Sequence, residues 1–158
     1  MATIASKFAT NQIATVVSSC AGNEVINPFF IDVTAAQLVL NNIFDMGVLP
    51  AGHTIASCTL VPDDLDTGAG IALDVGILSG DPGDTVSVRT MGSEIFAADV
   101  AARTGVISNV TQPSALRIRP TDTDRSIGVK VQAAPAGATA GRIRLVVRMY
   151  PADRSYQF

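Results

Sequence analysis

The sequence has no tryptophan, a single histidine and only two cysteines among its 158 residues. Cys20 and Cys58 are too few for a disulfide framework and lack metal-ligand spacing, so two buried thiols are expected, with a single bridge as the alternative. One histidine excludes the histidine-rich metal site that makes some β-sandwiches enzymes. Without tryptophan, a sugar-binding site would lack the aromatic rings on which sugars commonly stack.

Charged residues are also scarce, at 16% of the chain against a usual quarter. With so few charges to cover its surface, the chain is expected to bury apolar surface against a partner. Basic residues are almost absent from the first half, so residues 1–88 carry a net charge of −8 and residues 89–158 a net charge of +5. Because distant strands pair in β folds, the halves are expected to neutralise one another within the sheets. Head-to-tail packing of acidic on basic patches between subunits is the alternative.

Long apolar runs are missing too, and none approaches the length of a membrane span. Residues 13–20 only faintly resemble a signal segment, because the apolar core is too short and polar residues precede it. The length fits one domain that can bury a full core. The expected organisation is an N-terminal arm over residues 1–11, a single β-sandwich domain over residues 12–150 and a C-terminal tail over residues 151–158.

What the chain does contain is a series of short alternating runs, of which residues 55–79 are the clearest. From residue 71 onward, side chains alternate between two faces with the period of a half-buried strand. Residues 55–61 alternate as well, and the Asp, Gly and Thr between the runs are turn residues, so we predict a central antiparallel pair. Further strands are predicted over residues 12–20, 26–33, 34–47 (after a helical turn at 35–36), 85–89, 116–120, 127–131 and 141–150, with a flexible loop over 132–140.

One helix is predicted among these strands, over residues 93–104. Ser93 is a good N-cap, the apolar residues that follow line one side, and Gly105 ends the run. Short strands at regular spacing with one amphipathic helix indicate an all-β fold. We therefore expect a jelly-roll-like antiparallel β-sandwich of about eight strands with one short helix that closes one end of it.

Three groups of polar residues could carry chemistry. His53 follows a glycine at a strand entry without a nucleophile motif around it, so a surface or partly buried polar residue is expected there. Asp63, Asp64 and Asp66 have a spacing that could ligate calcium from a loop, but an acidic turn whose side chains bond nearby N–H groups is the simpler interpretation.

The third group is a set of arginines that could align as a basic stripe. They lack interleaved aromatic residues, and the chain is acidic overall, so salt bridges across strands or subunits are expected in place of nucleic-acid binding. No catalytic, cofactor-binding or metal-ligating residue is assigned, and no cofactor, nucleic-acid partner or membrane partner is expected. The arginines of the possible basic stripe are Arg117, Arg119, Arg142, Arg144 and Arg148.

Three short motifs lie within residues 30–84: LPAG at 49–52, DDLD at 63–66 and ALDVG at 72–76. With the residues around them they resemble the small decoration or cement proteins of tailed-bacteriophage capsids. The resemblance implies a jelly-roll sandwich without catalytic residues. It also implies a location on the virion exterior after synthesis in the host cytoplasm.

The resemblance further implies a homo-oligomer, a dimer or a trimer, that binds the outer surface of the capsid and stabilises contacts between major capsid subunits. The N-terminal arm, the 132–140 loop and the C-terminal tail are the expected contacts. Two alternatives stay open: a carbohydrate- or receptor-binding β-sandwich module of a virion or cell surface, and a small hydrolase that uses His53 or the aspartates.

Overall fold

A computed structural model describes residues 2–13, 15 and 23–152 of the chain. Within these residues, nine strands form two sheets that pack face to face around one hydrophobic core. The strands are β1 (Thr3–Ala5), β2 (Val25–Val33), β3 (Ile43–Leu49), β4 (His53–Pro62), β5 (Ala72–Leu78), β6 (Phe96–Asp99), β7 (Ser108–Asn109), β8 (Arg125–Ala133) and β9 (Gly141–Pro151).

The order of the strands identifies the fold as a jelly roll. One sheet has the order β1-β3-β8-β5-β6 and the other β2-β9-β4-β7. Without β1, these are two four-stranded antiparallel layers between which the chain repeatedly crosses, as in a double Greek key. The predicted all-β, jelly-roll-like sandwich is confirmed. β1 extends the first sheet by pairing parallel to β3.

Strand β9 shows most simply how the sequence builds the core. Its inward residues are fully buried between the sheets, whereas Arg142, Arg144 and Arg148 point away from the core. Strand β2 alternates in the same way, with Phe29 buried and Asp32 exposed. The strands predicted over 26–33, 127–131 and 141–150 are therefore confirmed. The buried residues of β9 are Ile143, Leu145, Val147 and Met149.

Strands β3, β8 and β5 of the five-stranded sheet are largely buried on both of their faces. The outward face of this sheet carries two glycines, Gly76 on β5 and Gly128 on β8, which face each other in the strand register. A Cβ at Gly76 would lie 2.4 Å from the carbonyl oxygen of Gly92. The segment 79–95, which joins β5 to β6, therefore lies directly on the sheet and covers it.

The predicted central antiparallel pair is wrong. β4 and β5 belong to different sheets, and their sheet neighbours are β9 and β7 for β4 and β8 and β6 for β5. The acidic turn between them is a crossover from one layer to the other and not a hairpin. Alternation of side chains between two faces indicates that a run is a strand, but it does not indicate which strand pairs with it.

The predicted helix over 93–104 is also wrong, because this part of the chain forms β6 and a 3-10 turn at Ala101–Arg103. The carboxylate of Asp74 on β5 accepts a hydrogen bond from the Ala98 N–H at 2.8 Å. Ala98 has a positive φ of 49°, which a helix does not allow. Pairing with the edge of β5 thus outweighs a weak helical preference.

Two predicted strands are absent from the structure. Residues 85–89 belong to the irregular segment that covers the five-stranded sheet, and 116–120 contains part of the 3-10 turn Ala115–Arg117 instead. Residues 34–47 contain the expected helical turn, at Ala35–Gln37, followed by β3. Most of the predicted strand 12–20 lies outside the described residues.

The start of the chain packs more closely than a loose arm would. β1 pairs with β3, and the buried ring of Phe8 contacts the ring of Phe29 in an edge-on arrangement at 5.4 Å. At the other end, Pro151 still belongs to β9, while residues 153–158 of the expected tail lie outside the described residues. Among the described helical segments, none is long and apolar enough to cross a membrane.

Candidate interaction surfaces

His53 is the first residue of β4, and its side chain is buried rather than partly exposed. Its Nδ1 atom lies 3.0 Å from the carbonyl oxygen of Ala51, whereas Nε2 has no hydrogen-bond partner in the described structure. Among the described residues, no three His, Cys, Asp or Glu side chains are grouped so that they could hold a metal ion. Cys58 is a buried free thiol whose pKa burial raises to about 12.

The acidic turn uses its carboxylates inside the fold. The buried carboxylate of Asp66 accepts hydrogen bonds from the N–H groups of Gly68, Gly70, Ile71 and Gly137. Burial by itself would raise the pKa of this carboxyl, but the backbone N–H donors outweigh burial and hold the pKa well below its usual value. This agrees with the acidic-turn interpretation, and the bond to Gly137 ties the turn to the 134–140 loop.

The opposite charges of the two halves meet within the fold. In the described part of the chain, five ion pairs join an acid of residues 1–88 to a base of residues 89–158, as expected from the charge distribution. Two of them, Arg89–Asp45 and Lys130–Asp74, are largely buried. The others follow β9: Arg142–Asp32, Arg144–Asp63 and Arg148–Glu24.

The outward face of the four-stranded sheet is partly open to solvent. Ile26 on β2 lies opposite Arg148 on β9, and both side chains are exposed. Phe30 is half-buried, and its ring centroid lies 4.8 Å from the guanidinium carbon of Arg142. Since Arg142 also bonds Asp32, this face mixes apolar patches with arginines that already have partners.

An open groove lies between the segment 79–95 and the connection from β7 to β8. Its lining combines polar and charged side chains with the apolar residues Ile77, Leu78 and Ile118. Nη2 of Arg125 donates to the carbonyl oxygen of Arg119 at 2.7 Å. Its lining includes Glu94, Ser114, Arg117, Arg119, Thr121 and Arg125.

The most exposed apolar side chains of the described residues belong to the segment 79–95. Val86 is 94% exposed and Val88 is 87% exposed, whereas Arg89, the next residue, is only 1% exposed. The strand predicted over residues 85–89 is not formed here, and both valines of this stretch face solvent. We call Val86, Ser87 and Val88 the valine tip.

A buried ion pair holds the valine tip in place. Nη1 of Arg89 donates to Oδ2 of Asp45 at 2.5 Å, and its Nη2 donates to the hydroxyl of Ser126 at 3.1 Å. The same Asp45 oxygen accepts the N–H of Gly83 at 3.0 Å. One carboxylate on β3 therefore anchors both sides of the loop that carries the valine tip.

The remaining exposed apolar side chains gather mainly at the opposite end of the sandwich. That end is formed by the loops 34–42, 63–71, 100–107 and 134–140, because each of them follows a strand that runs in the same direction. We call these loops the apolar end. Its exposed apolar residues are Val39, Leu40, Val100, Val106 and Ile107.

No protein-family model and no curated protein matches the chain. Solved structures do. A chain from a structure described as "Cyanophage Pam1 capsid asymmetric unit" shares the fold at a TM-score of 0.65 and 23% identity, covering 87% of this chain and 91% of that one. A chain from the "Capsid of Ralstonia phage GP4" is 37% identical, with a TM-score of 0.92, and the match covers 96% of this chain and 99% of that chain. Because this likeness extends over nearly the whole of both chains, the protein belongs to the family of phage capsid proteins that this chain of the Ralstonia phage GP4 capsid represents.

Proposed function

We propose that the protein is a decoration protein, which binds the outer surface of a phage capsid and stabilises the contacts between major capsid subunits. The likeness to a capsid chain over nearly the full length carries this proposal. The three motifs that resemble decoration proteins support it as well. They lie at the β3–β4 turn, in the β4–β5 crossover and in β5, where they build the scaffold.

The distribution of polar groups supports a structural role. Asp45, Asp66 and Asp74 are buried and bond partners within the chain, so their carboxylates stabilise the fold and do not converge on an open site. Most of the exposed apolar groups lie instead on loops, where they can meet another protein. Such a fold suits repeated binding to a lattice.

The physical basis of capsid stabilisation is added interface. A protein that bridges two subunits must be released or torn before these subunits separate, and a stable interface of this kind buries roughly 1,200–2,000 Å². Contacts repeated over a lattice add to one another even if each is weak. Binding as a dimer or a trimer would let one assembly hold several subunits.

The test uses the phage whose genome encodes the chain. Capsids made without the gene are mixed with the purified protein, and binding is measured by co-sedimentation and by electron cryo-microscopy of the particles. Capsids that already carry the protein are the control and should take up no more of it. We expect saturable binding, density on the capsid exterior and a rise in the temperature at which the genome is released. Absence of binding, or location of the protein in the tail, would overturn the proposal.

A further inference from the structure

We propose that the open groove beside the segment 79–95 binds an acidic segment of another protein. The proposal rests on the proposed function and gives the chemistry of one of its contacts. Arg117, Arg119 and Arg125 all line this groove, which we call the arginine groove. Its volume is about 570 Å³, which lies within the range of roughly 300–1,000 Å³ that is usual for ligand sites.

The exposed arginines of the groove lack the acidic partners that other arginines of the chain have. Arg89 and the three arginines on β9 each form an ion pair with an acid. The guanidinium groups of Arg117 and Arg119 are exposed and form no ion pair with any described residue. The chain contains 14 acidic and 11 basic residues, so a shortage of acids does not explain these unpaired arginines.

Arg125 is partly buried in the groove and is also incompletely bonded. Its Nη2 donates to the carbonyl oxygen of Arg119 at 2.7 Å, whereas its Nε is buried without a hydrogen-bond partner in the described structure. Burial lowers the pKa of Arg125, while the hydrogen bond to Asp32 raises the pKa of Arg142 on β9. A carboxylate that entered the groove would give Arg125 the kind of partner that Arg142 already has.

The acids near the arginine groove already bond other groups. Glu94 is the one acidic residue of its described lining, and Oε2 of Glu94 accepts the N–H of Ile77 at 3.2 Å. Asp124 precedes Arg125 in the chain, and its Oδ1 accepts the N–H of Ala51 at 2.8 Å. Three arginines therefore face one acid in the lining, which favours an anionic partner.

A second copy of this chain offers no acidic group that matches the arginine groove. Among the described acids, Asp81 is the one whose carboxylate has neither an ion pair nor a hydrogen bond. In the DDLD turn, Asp63 pairs with Arg144, and the other two aspartates accept backbone N–H groups. One free carboxylate cannot balance three guanidinium groups, so a different protein is favoured over a second copy.

The lining of the groove favours carboxylates on a peptide over two other kinds of anion. Ile77, Leu78 and Ile118 lie among the arginines, so the methylene groups of a glutamate find apolar contacts that inorganic phosphate cannot use. The described lining has no aromatic ring on which a nucleic-acid base could stack. A stretch of chain with several glutamates or aspartates fits the groove best, because each carboxylate can accept two hydrogen bonds from one arginine.

The first test measures the binding of a fluorescein-labelled hexaglutamate peptide to the full-length protein by fluorescence anisotropy. The wild type is compared with two double variants, Arg117→Gln/Arg119→Gln in the groove and Arg144→Gln/Arg148→Gln on β9. Both variants lose two positive charges, so a difference between them reports position and not net charge. The groove variant keeps the bond from Arg125 because that bond uses the backbone of Arg119. Both variants should keep a Tm within about 3 °C of the wild type.

We expect the groove variant to bind hexaglutamate at least about fivefold more weakly than the wild type at about 50 mM salt, where screening is weak. The β9 variant should stay within about twofold of the wild type. Absence of hexaglutamate binding by the wild type, or equal weakening in both variants, overturns the inference. Tighter binding of inorganic phosphate or of hexathymidylate than of hexaglutamate overturns it as well, since the groove then serves another anion.

The second test repeats the comparison with capsids that lack the protein. Weaker binding by the groove variant alone supports the inference, and equal binding by the wild type and the groove variant overturns it. Self-association of the wild type that the groove variant loses, measured by light scattering, assigns the groove to a contact between copies and also overturns it. If the wild type binds no capsids, the proposed function fails, and the hexaglutamate result still decides whether the arginine groove takes an acidic segment.

Discussion

Asp66 illustrates how this chain uses its few charged residues. Its carboxylate lies in the interior and accepts N–H groups from its own turn and from Gly137 on the 134–140 loop. A carboxylate that accepts several backbone donors is much more stable ionised than protonated. The side chain therefore works as a fixed junction between two loops at the apolar end.

The depressed pKa of Asp66 sets the direction of a pH effect on stability. In the unfolded chain an aspartate titrates near about 3.9, so the stabilisation by Asp66 is complete above that pH and is lost as the pH falls toward the lower folded pKa. We predict that Asp66→Asn lowers the Tm at pH 7 by roughly 5 °C or more, because the amide cannot accept the same bonds. The difference in Tm from the wild type should shrink when the pH is lowered from about 5 to 2.

Asp64→Asn is the matched control for this measurement. Asp64 is exposed, and its carboxylate accepts the N–H of Asp66 at 3.2 Å. Replacing Asp64 by Asn should change the Tm much less than Asp66→Asn does. A difference between Asp66→Asn and the wild type that stays constant from pH 7 to pH 2 would contradict the assignment.

At the scale of elements, the segment 79–95 is held on the five-stranded sheet by several specific contacts. Glycines on β5 and β8 leave room for it, and the Arg89–Asp45 pair fastens it to β3. Met91 forms an isolated bridge with Leu78, so the segment is also held at the end of β5. The loop is therefore a built part of the sandwich and not a loose connection.

Removing Arg89 should destabilise the protein strongly. Arg89→Met leaves the buried Asp45 carboxylate without its counter-ion, and a broken buried pair of this kind costs about 3–5 kcal/mol. We predict a loss of that size in the free energy of unfolding, measured by urea denaturation. The double variant Asp45→Asn/Arg89→Met should recover part of the loss, because the unpaired charge is gone. A loss below about 1 kcal/mol in the single variant would mean that the pair does not hold the segment.

At the scale of the whole molecule, the last strands complete both sheets. β8 lies between β3 and β5, and β9 lies between β2 and β4. The five ion pairs seen among the described residues also connect the first part of the chain with the last. The early strands consequently have no continuous sheet until the end of the chain is in place.

This topology predicts that the fold is one cooperative unit. A fragment of residues 1–110 keeps β1 to β7 but lacks the central strand of each sheet, so we expect it to show no cooperative thermal or urea transition by circular dichroism. The full chain, as the control, should unfold in a single transition. A sigmoidal transition of the fragment would show that half of the sandwich is stable alone.

Whether a feature could be predicted from the sequence depends on how far apart in the chain the interacting residues are. The inward and outward faces of β9 and β2 could be predicted, because side chains alternate along any strand whatever its neighbours are. The mutual neutralisation of the two halves could also be predicted from charge alone. The valine tip could not, and its only signal was an alternating V-S-V-R run directly after a Gly- and Pro-rich turn.

Strand periodicity and turn residues are local properties, and they were enough to predict an all-β sandwich for this chain. Three features could not be predicted in this way: β4 and β5 belong to opposite sheets, β6 replaces a helix, and Val86 and Val88 face outward. Each of them depends on partners far away in the chain. Arg89 is buried because Asp45, 44 residues earlier, lies beneath it. This bond turns Arg89 inward, and Val86 and Val88 therefore face outward.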